Sequence, residues 1–499
     1  MQSKSFKGRI GIPDISVPLV SSRRMTEARG STFFIVFTIS LAVFTDVFLY
    51  GVIIPVIPFA FTQQMGIEPD AVQSAVSKSL AVYSSGLIAG SIAFGYACDK
   101  MSNRRVSMLI GLLTLIAATI ILCVCKSIAL FMVGRAIQGI SASVVWSVGL
   151  AVIADTAGSH QVAYFMSYPG IAMNLGHFCG PLVGGIVYEK AGYYPVFYVC
   201  FGVLVMDVVL RLLMIEKSQL PKKLKKFDND QSNSSTSNAV ELPTTETRGG
   251  TPLLTPASQD EESQFHLKVS PYRIHNVDTM FGFKVFPTLG LLKHSSVLIT
   301  LFQSLIIAWI TAAFEATLTL HLKELFDFNS LGSALMFIAL AAPCIVEPLI
   351  GKLADRFGPR LLVTFGLLML TPLLILLGVP QHDSVNQIVF FAAILTLIGF
   401  GIIVLFPPVM GELCHVVSEI ERYNPGKFGP GRGFGQAYGL FFISYSLGAL
   451  IGPFHSGGVF HDQGWNKTVL SLGIVTAVAA IPSAIFTGGN LIYKFKSRT

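Results

Sequence analysis

Long apolar stretches alternate with short polar ones along almost the whole chain. Twelve of them are close to the length of about 20 residues that an α-helix needs to cross the hydrocarbon core of a bilayer. They lie at residues 33–59, 74–97, 106–125, 128–154, 163–187, 194–214, 294–320, 331–351, 361–379, 388–410, 435–457 and 468–492. The pattern predicts an all-α membrane protein with twelve transmembrane helices.

Composition and charge add an orientation. Only 13% of the residues are charged and 52% are hydrophobic, whereas soluble proteins carry about 25% charged residues. Lys and Arg are concentrated before the first span, between spans six and seven, and in the turns on that same side. Because basic residues favour the cytoplasmic side, we expect both termini in the cytoplasm. The net charge of +7 then reflects topology rather than binding of nucleic acid.

A polar segment divides the spans into two sets of six. It is rich in Ser, Thr, Pro and acidic residues, and it cannot bury enough apolar area to fold by itself. The expected organisation is an N-terminal cytoplasmic segment (1–32), a six-helix half (33–214), a disordered cytoplasmic linker (215–293), a second six-helix half (294–492) and a cytoplasmic tail (493–499).

Three pairs of motifs indicate that the second half repeats the first. GYACDKMSNRR (95–105) and GKLADRFGPR (351–360) each follow an apolar run, and LGHFCGPLVGG (175–185) is similar to LGALIGPFHSGG (447–458). An acidic residue in the first span of each half, Asp46 and Glu315, forms the third pair. Transporters built from two such halves place their substrate path between them, near the bilayer midplane.

These motifs resemble those of the major facilitator superfamily over nearly the whole chain. The 95–105 motif resembles G-x-x-x-D-[RK]-x-G-R-[RK], with departures at Ser102 and Asn103; GRAIQG resembles R-x-x-Q-G, and GHFCGPLVGG resembles the antiporter pattern G-x-x-x-G-P-x-x-G-G. The nearest subgroup is the twelve-span drug/proton antiporters, and TDVFLYGVIIPVIP is similar to the fungal vesicular-amine-transporter-like branch. The resemblance implies a major facilitator fold with two pseudo-symmetric halves.

The two charged motifs join neighbouring spans on the cytoplasmic side, where we expect them to form a latch between the halves. Carboxylates and basic groups at helix ends can make contacts that close in one conformation and open in the other. In the alternative interpretation, the basic residues only fix topology and contact anionic lipid. The latch residues are Gly95, Asp99, Lys100, Arg104, Asp155, Gly351, Asp355, Arg356, Gly358 and Arg360.

Acidic residues inside the spans are candidates for proton coupling or substrate binding. Asp46 lies near the middle of span one, where an ionised carboxylate is costly and therefore takes up a proton readily. The alternative is a neutral acid locked in a hydrogen bond between helices. The same argument applies to Glu315 in span seven. For Glu347 in span eight, the sequence leaves open whether it joins the proton path or pairs with a Lys or Arg of the latch.

Arg135 in span four is a further candidate, together with Gln138. An isolated cation there costs about 2.5–3.5 kcal/mol, so Arg135 needs a carboxylate, backbone carbonyls or water. In the alternative interpretation its side chain extends to the outer surface. The family resemblance implies a role for this arginine in proton coupling.

Small residues in span five predict a tight, bendable contact between the halves, with plain packing as the alternative. They are Gly176, Gly180, Pro181, Gly184 and Gly185. His177 on this span is expected to be packed. The sequon at Asn466 lies in a predicted outside loop and is a candidate for glycosylation.

These features together favour a proton-coupled secondary transporter that exports small organic compounds, cationic or amphiphilic, by alternating access. The alternative is a uniporter or importer of sugars or organic acids on the same fold.

The sequence has no P-loop, nucleophile elbow or metal-ligand spacing, so we expect no enzymatic activity, metal or cofactor. The expected partners are a small organic substrate, protons and the lipid bilayer. We expect a monomer in the plasma membrane, with a vacuolar or vesicular membrane as the alternative.

Overall fold

The computed structural model describes residues 23–63, 65–66, 68–100, 104–158, 161–216, 288–328, 330–423 and 433–489. These residues contain no strand and twelve helices that are long and apolar enough to cross a membrane, which confirms the predicted fold class. We name them α1 Thr32–Ile53, α2 Lys78–Lys100, α3 Arg104–Val124, α4 Ile128–Ala157, α5 Val162–Ala191, α6 Tyr193–Leu213, α7 Ser295–Phe326, α8 Leu335–Phe357, α9 Pro359–Leu376, α10 Val385–Tyr423, α11 Phe434–Gln463 and α12 Trp465–Phe486. Nearly all of the predicted linker and the whole predicted tail lie outside the described residues.

Six helices end six or more residues from their predicted ends, and α1 and α10 show why. The first span was expected to reach residue 59, but α1 ends at Ile53, because Pro55 has no N–H for a helical hydrogen bond. A separate short helix, Ile57–Gln63, follows. The tenth span was expected to end at residue 410, but α10 continues to Tyr423. Hydropathy detects only the apolar part of this helix, and the helix continues into residues after 410 that the hydropathy pattern does not predict as part of the span.

Glycines of α5 pack directly on α1. A Cβ atom added at Gly180 would lie 2.8 Å from the carbonyl oxygen of Phe48, and one at Gly184 would collide with the carbonyl oxygen of Val52. At Gly185 a Cβ atom would meet nothing within 4 Å. Both helices belong to the first six, so this face does not join the two halves, and that expectation was wrong for these contacts.

The remaining small residues of this face make the same contact. Gly176 faces Val47 of α1, and a Cβ atom there would lie 2.9 Å from the Cβ of Val47. Gly51 of α1 lies against the ring of Pro181. Close backbone approach of this kind is what small residues permit in a membrane, where packing rather than a hydrophobic driving force holds helices together.

The last six helices repeat this arrangement and correct one of the motif pairs. Gly452 of α11 faces the carbonyl oxygen of Trp309 on α7, as Gly180 faces that of Phe48 on α1. Trp309 is thus equivalent to Phe48, which places Ile307, and not Glu315, at the position equivalent to Asp46. Glu315 lies about two helical turns further along α7. The expected pairing of Asp46 with Glu315 was wrong.

Gly184 and Gly185 offer a matched test of this packing. Gly184→Ala is expected to lower the free energy of unfolding by about 1–3 kcal/mol, because the added methyl group collides with the backbone of α1. Gly185→Ala has free space around it and removes a poor helix former, so the free energy of unfolding should stay equal or rise. Thermal unfolding of the two purified variants, followed by circular dichroism, gives the comparison. Equal destabilisation of both would contradict the close approach of α5 to α1.

Candidate functional site

One end of the helix bundle, which we call the linker end, contains the end of α6 at Leu213 and the start of α7 at Ser295. There Asp99, near the end of α2, binds the start of α11. Its Oδ1 accepts the N–H of Gly435 at 3.0 Å, and its Oδ2 accepts the N–H of Gln436 at 2.9 Å. The first N–H groups of a helix carry partial positive charge and bind anions. Asp99 therefore ties the first six helices to the last six.

The second motif makes the equivalent contact in the opposite direction. Asp355 of α8 accepts the N–H groups of Ala163 at 3.0 Å and Tyr164 at 2.9 Å, at the start of α5. The ammonium group of Lys352 lies 4.8 Å from the centre of the Tyr164 ring. Two carboxylates thus join the two sets of helices at the linker end, each with a pair of backbone hydrogen bonds.

Glycines bring the helices close enough for these hydrogen bonds. A Cβ atom at Gly95 would lie 2.9 Å from the carbonyl oxygen of Gly435, and one at Gly351 would lie 2.5 Å from that of Ala163. These contacts are tighter than real Cβ atoms show. Both glycines of the predicted latch therefore lie at the contact between the two sets of helices.

Other latch candidates from the first motif surround Asp99. Arg104, at the start of α3, lies 2.5 Å from Asp155 at the end of α4 and 3.7 Å from Asp99. The ammonium of Lys100 lies 4.2 Å from the ring centre of Tyr96 on the same helix. Arg104 thus connects α2, α3 and α4 beneath the contact with α11.

Three candidates from the second motif make contacts within the last six helices. Arg360 donates to the carbonyl oxygens of Thr487 and Gly489 after α12, at 2.6 Å in the first case. Arg356 packs on the ring of its neighbour Phe357. Gly358 has φ = 84° and forms the turn between α8 and α9, a conformation that favours glycine.

Asp46 is buried in the middle of the first six helices. Its Oδ2 accepts a hydrogen bond from the indole Nε1 of Trp146 at 3.1 Å. Its Oδ1 has no hydrogen-bond partner in the described part of the chain. Trp146 lies in a π-helical segment of α4, Val145–Gly149, and such segments occur frequently at functional sites. The carboxyl group thus has one bound oxygen and one available oxygen.

Arg135 is held by aromatic rings. Its guanidinium carbon lies 5.0 Å from the ring centre of Tyr50 and 5.1 Å from that of Tyr83, and Nη1 donates to Gln138 Oε1 at 2.8 Å. Among the described residues no carboxylate forms an ion pair with Arg135, and the two tyrosine rings make cation–π contacts with its guanidinium group. The side chain is fully buried, which excludes its extension to the outer surface. The Nε and Nη2 groups have no hydrogen-bond partner among the described residues.

Glu315 and His177 pair across the two sets of helices. Glu315 Oε1 on α7 lies 3.3 Å from His177 Nδ1 on α5, and the two side chains are 41% and 29% exposed. His177 also meets the ring of Tyr50 edge-on, at 6.5 Å between centroids. His177 is therefore part of a polar pair at the boundary between the halves.

Glu347 is buried beside α5. It begins a regular helical segment that follows a 3₁₀ turn in α8, Ala342–Val346. Its Oε1 accepts a hydrogen bond from Asn174 Nδ2 at 3.1 Å, and Oε2 has no partner among the described residues. The described partner is thus an amide on α5 and not a Lys or Arg of the latch, which corrects that alternative.

The end of the bundle opposite the linker end contains two further features. A cavity of about 460 Å³ lies between α7 and α11, with Glu324 and His461 among its lining residues. Gly464 alone joins α11 to α12, so Asn466 lies on the first turn of α12, where it is exposed. The sequon therefore lies on a helix and not in the expected loop.

Sequence patterns missed four residues that complete these clusters: Tyr50, Tyr83, Trp146 and Asn174. Each lies within an apolar run, and only Tyr50 falls within a quoted motif, TDVFLYGVIIPVIP, which does not distinguish it from its neighbours. Their importance comes from contacts between helices that are distant in the sequence, as with Trp146 and Asp46. Nothing in the hydropathy pattern distinguishes them from aromatic or amide residues that only pack.

Comparisons with known proteins agree with this architecture. The family model described as Major Facilitator Superfamily matches residues 39–423. An uncharacterized MFS-type transporter, C18.02, of Schizosaccharomyces pombe is 37% identical over 92% of this chain and 95% of its own. The MFS-type transporter ppzB of Metarhizium rileyi is 30% identical over 92% and 96%.

A solved structure shows the same fold. The human organic anion transporter MFSD10 (TETRAN) superposes with a TM-score of 0.63 at 16% identity, over 91% of this chain and 99% of its own. With twelve candidate spans, paired contacts at the linker end and a family match over most of the sequence, the chain belongs to the major facilitator superfamily of membrane transporters.

Proposed function

We propose that this transporter is a proton-coupled antiporter that exports small organic compounds, cationic or amphiphilic, by alternating access. The observation that carries the proposal is Asp46, a buried carboxyl group in the first spanning helix with one oxygen that has no hydrogen-bond partner among the residues that the structure describes. An ionised carboxylate in such a place is costly, so it favours either a proton or a cationic substrate. Alternate binding of the two at one group is the simplest form of antiport.

The two aspartate contacts supply the conformational part of the proposal. The hydrogen bonds of Asp99 and Asp355 across the two sets of helices support a closed linker end in this proposal. With the linker end assigned to the cytoplasm on the distribution of basic residues, this is the state closed to the cytoplasm. Opening requires both carboxylates to leave the helix starts, after which the halves at 33–214 and 294–492 rock about the central site.

Glu315 and His177 complete the proposed path. The pair lies at the boundary of the halves, partly exposed, and Tyr50 connects it to Arg135. A substrate cation that moves from the cytoplasm towards the outer end passes Asp46 before Glu315. We place the protein in the plasma membrane, where such a path exports its substrate from the cell.

Proton flux in sealed liposomes tests the antiport. Purified protein is reconstituted, an inside-acid gradient is imposed, a panel of lipophilic organic cations is added outside, and internal pH is followed. The expected result is alkalinisation of the lumen that starts on addition of one of the cations and is absent from protein-free liposomes. Uptake of a cation without movement of protons would overturn the antiport and leave a uniporter.

Organic acids are the second candidate substrates. The observation in their favour is Arg135, whose Nε and Nη2 groups have no hydrogen-bond partner in the described part of the chain and can bind a carboxylate of a substrate. Adding a matched panel of organic acids to the same liposomes separates the two candidates. Uptake of an acid that disappears in Arg135→Gln would favour this alternative over cation export.

A further inference from the structure

Trp146 touches groups from both sets of six helices. Its indole N–H donates to Asp46 on α1 at 3.1 Å. Its ring packs on Phe442 of α11, with 4.3 Å between centroids and 34° between planes. Trp146 and Phe442 are both buried. The same side chain thus contacts the proposed proton site and a helix whose start is held by Asp99.

The backbone around Trp146 departs from a regular α-helix. Residues Val145–Gly149 form a π-helical segment between two α-helical parts of α4. A π-segment contains one residue more than the α-helical pattern accommodates, and such segments occur frequently at functional sites. Ser147 in this segment has a buried hydroxyl without a hydrogen-bond partner among the described residues. The segment is therefore not locked by its own polar side chain.

The hydrogen bond to Asp46 depends on the charge of the carboxyl group. An indole N–H only donates, and a hydrogen bond to an ionised acceptor is roughly twice as strong as one to a neutral acceptor. Protonation of Asp46 therefore weakens its hydrogen bond with the indole of Trp146. The neutral form of Asp46 carries an O–H group that needs an acceptor, and no acceptor is described near Oδ1.

Other charged and titratable groups around Asp46 do not compete for this bond. Asp207 and Arg211 on α6 act on Asp46 through space, but they bind each other at 2.6 and 2.8 Å. Tyr83 on α2 and Arg135 on α4 face each other.

The remaining ionisable groups nearby have other partners. His177 on α5 faces Glu315 of α7 and the ring of Tyr50 on α1. Trp146 is therefore the described hydrogen-bond donor to Asp46.

We propose that Trp146 is a positioning residue that transmits the protonation state of Asp46 to α11 through its contact with Phe442. With Asp46 ionised, the hydrogen bond holds the indole against Phe442. With Asp46 protonated, the indole moves within the π-segment and the contact between α4 and α11 loosens. The inference rests on the proposed function, because it takes Asp46 as the group that binds the coupling proton.

Fluorine NMR of the whole protein tests this link without any substrate. The chain has three tryptophans, so 5-fluorotryptophan gives three signals, and Trp146→Phe identifies the signal of residue 146. The expected result is a shift of this signal with pH that disappears in Asp46→Asn. Trp309 and Trp465 serve as internal controls, since they contact His455 and His321 and should respond equally with and without the Asp46 substitution. A Trp146 signal that does not move with pH, or that moves equally in Asp46→Asn, would overturn the inference.

Transport by Trp146→Phe separates this inference from the proposed function. Phenylalanine retains an aromatic ring for Phe442 but has no N–H for Asp46. We expect proton movement that is no longer tied to substrate, with the thermal stability of the protein retained. Coupled transport at the wild-type rate in Trp146→Phe, together with its loss in Asp46→Asn, would refute the link and leave the antiport intact. Coupled transport in both variants would instead refute the role of Asp46.

Discussion

Asp46→Asn is expected to abolish substrate-dependent proton movement. The asparagine has the shape of aspartate, and its carbonyl oxygen can accept the hydrogen bond of Trp146. It cannot bind or release a proton at neutral pH, so the group can no longer alternate between proton and cation. We expect at least about a tenfold fall in the rate of coupled uptake, equivalent to 1.4 kcal/mol or more on the barrier.

The control for this prediction is Thr45→Val on the same helix. Thr45 is also buried, and its hydroxyl also lacks a partner among the described residues, but it does not ionise. It should therefore leave coupled uptake close to the wild-type rate. The measurement is internal pH in liposomes, with folding of both variants checked by thermal unfolding. Wild-type proton movement in Asp46→Asn, or equal loss in Thr45→Val, would show that Asp46 is not the coupling group.

Asp99→Asn is expected to open the linker end. An asparagine carries no charge and presents an NH2 group in place of one carboxylate oxygen, so one of the N–H groups of Gly435 and Gln436 loses its acceptor in this geometry. Hydrogen bonds to a charged group are worth about 1.5–3 kcal/mol each. Loss of one such bond shifts the ratio of closed to open states by roughly 10- to 100-fold.

Cys98 provides the measurement, because it is buried next to Asp99 and its side chain lies against Gly435. In a variant with Cys98 as the sole cysteine, Asp99→Asn should speed labelling by a water-soluble maleimide by the same factor. Cys200, equally buried on α6 and away from the linker-end contacts, reports general unfolding and should stay protected.

A matched carboxylate controls for the loss of charge. Asp383 is exposed in the turn between α9 and α10, so Asp383→Asn should not change the labelling of Cys98. Unchanged labelling of Cys98 in Asp99→Asn would refute the latch. Faster labelling of Cys98 and Cys200 together would indicate loss of the fold instead.

Much of the architecture follows from local sequence. Each spanning helix satisfies its backbone hydrogen bonds internally, so a run of apolar residues is sufficient to predict it, and twelve runs predict twelve helices. The glycine motifs of α5 and α11 and the charged motifs at 95–105 and 351–360 could be located because their residue types are unusual in such runs. Helix ends were less certain where a proline or a polar extension intervened, as in α1 and α10.

The sequence by itself determined the membrane class, the duplicated plan and the positions of Asp46, Arg135, Glu315 and Glu347, because a charged group in an apolar run is visible without a fold. Only the tertiary structure decided their partners. Trp146 for Asp46, two tyrosine rings for Arg135 and His177 for Glu315 all come from other helices. The physical reason is that a helix fixes its own hydrogen bonds locally, whereas the faces that meet across a bundle depend on how whole helices rotate and pack.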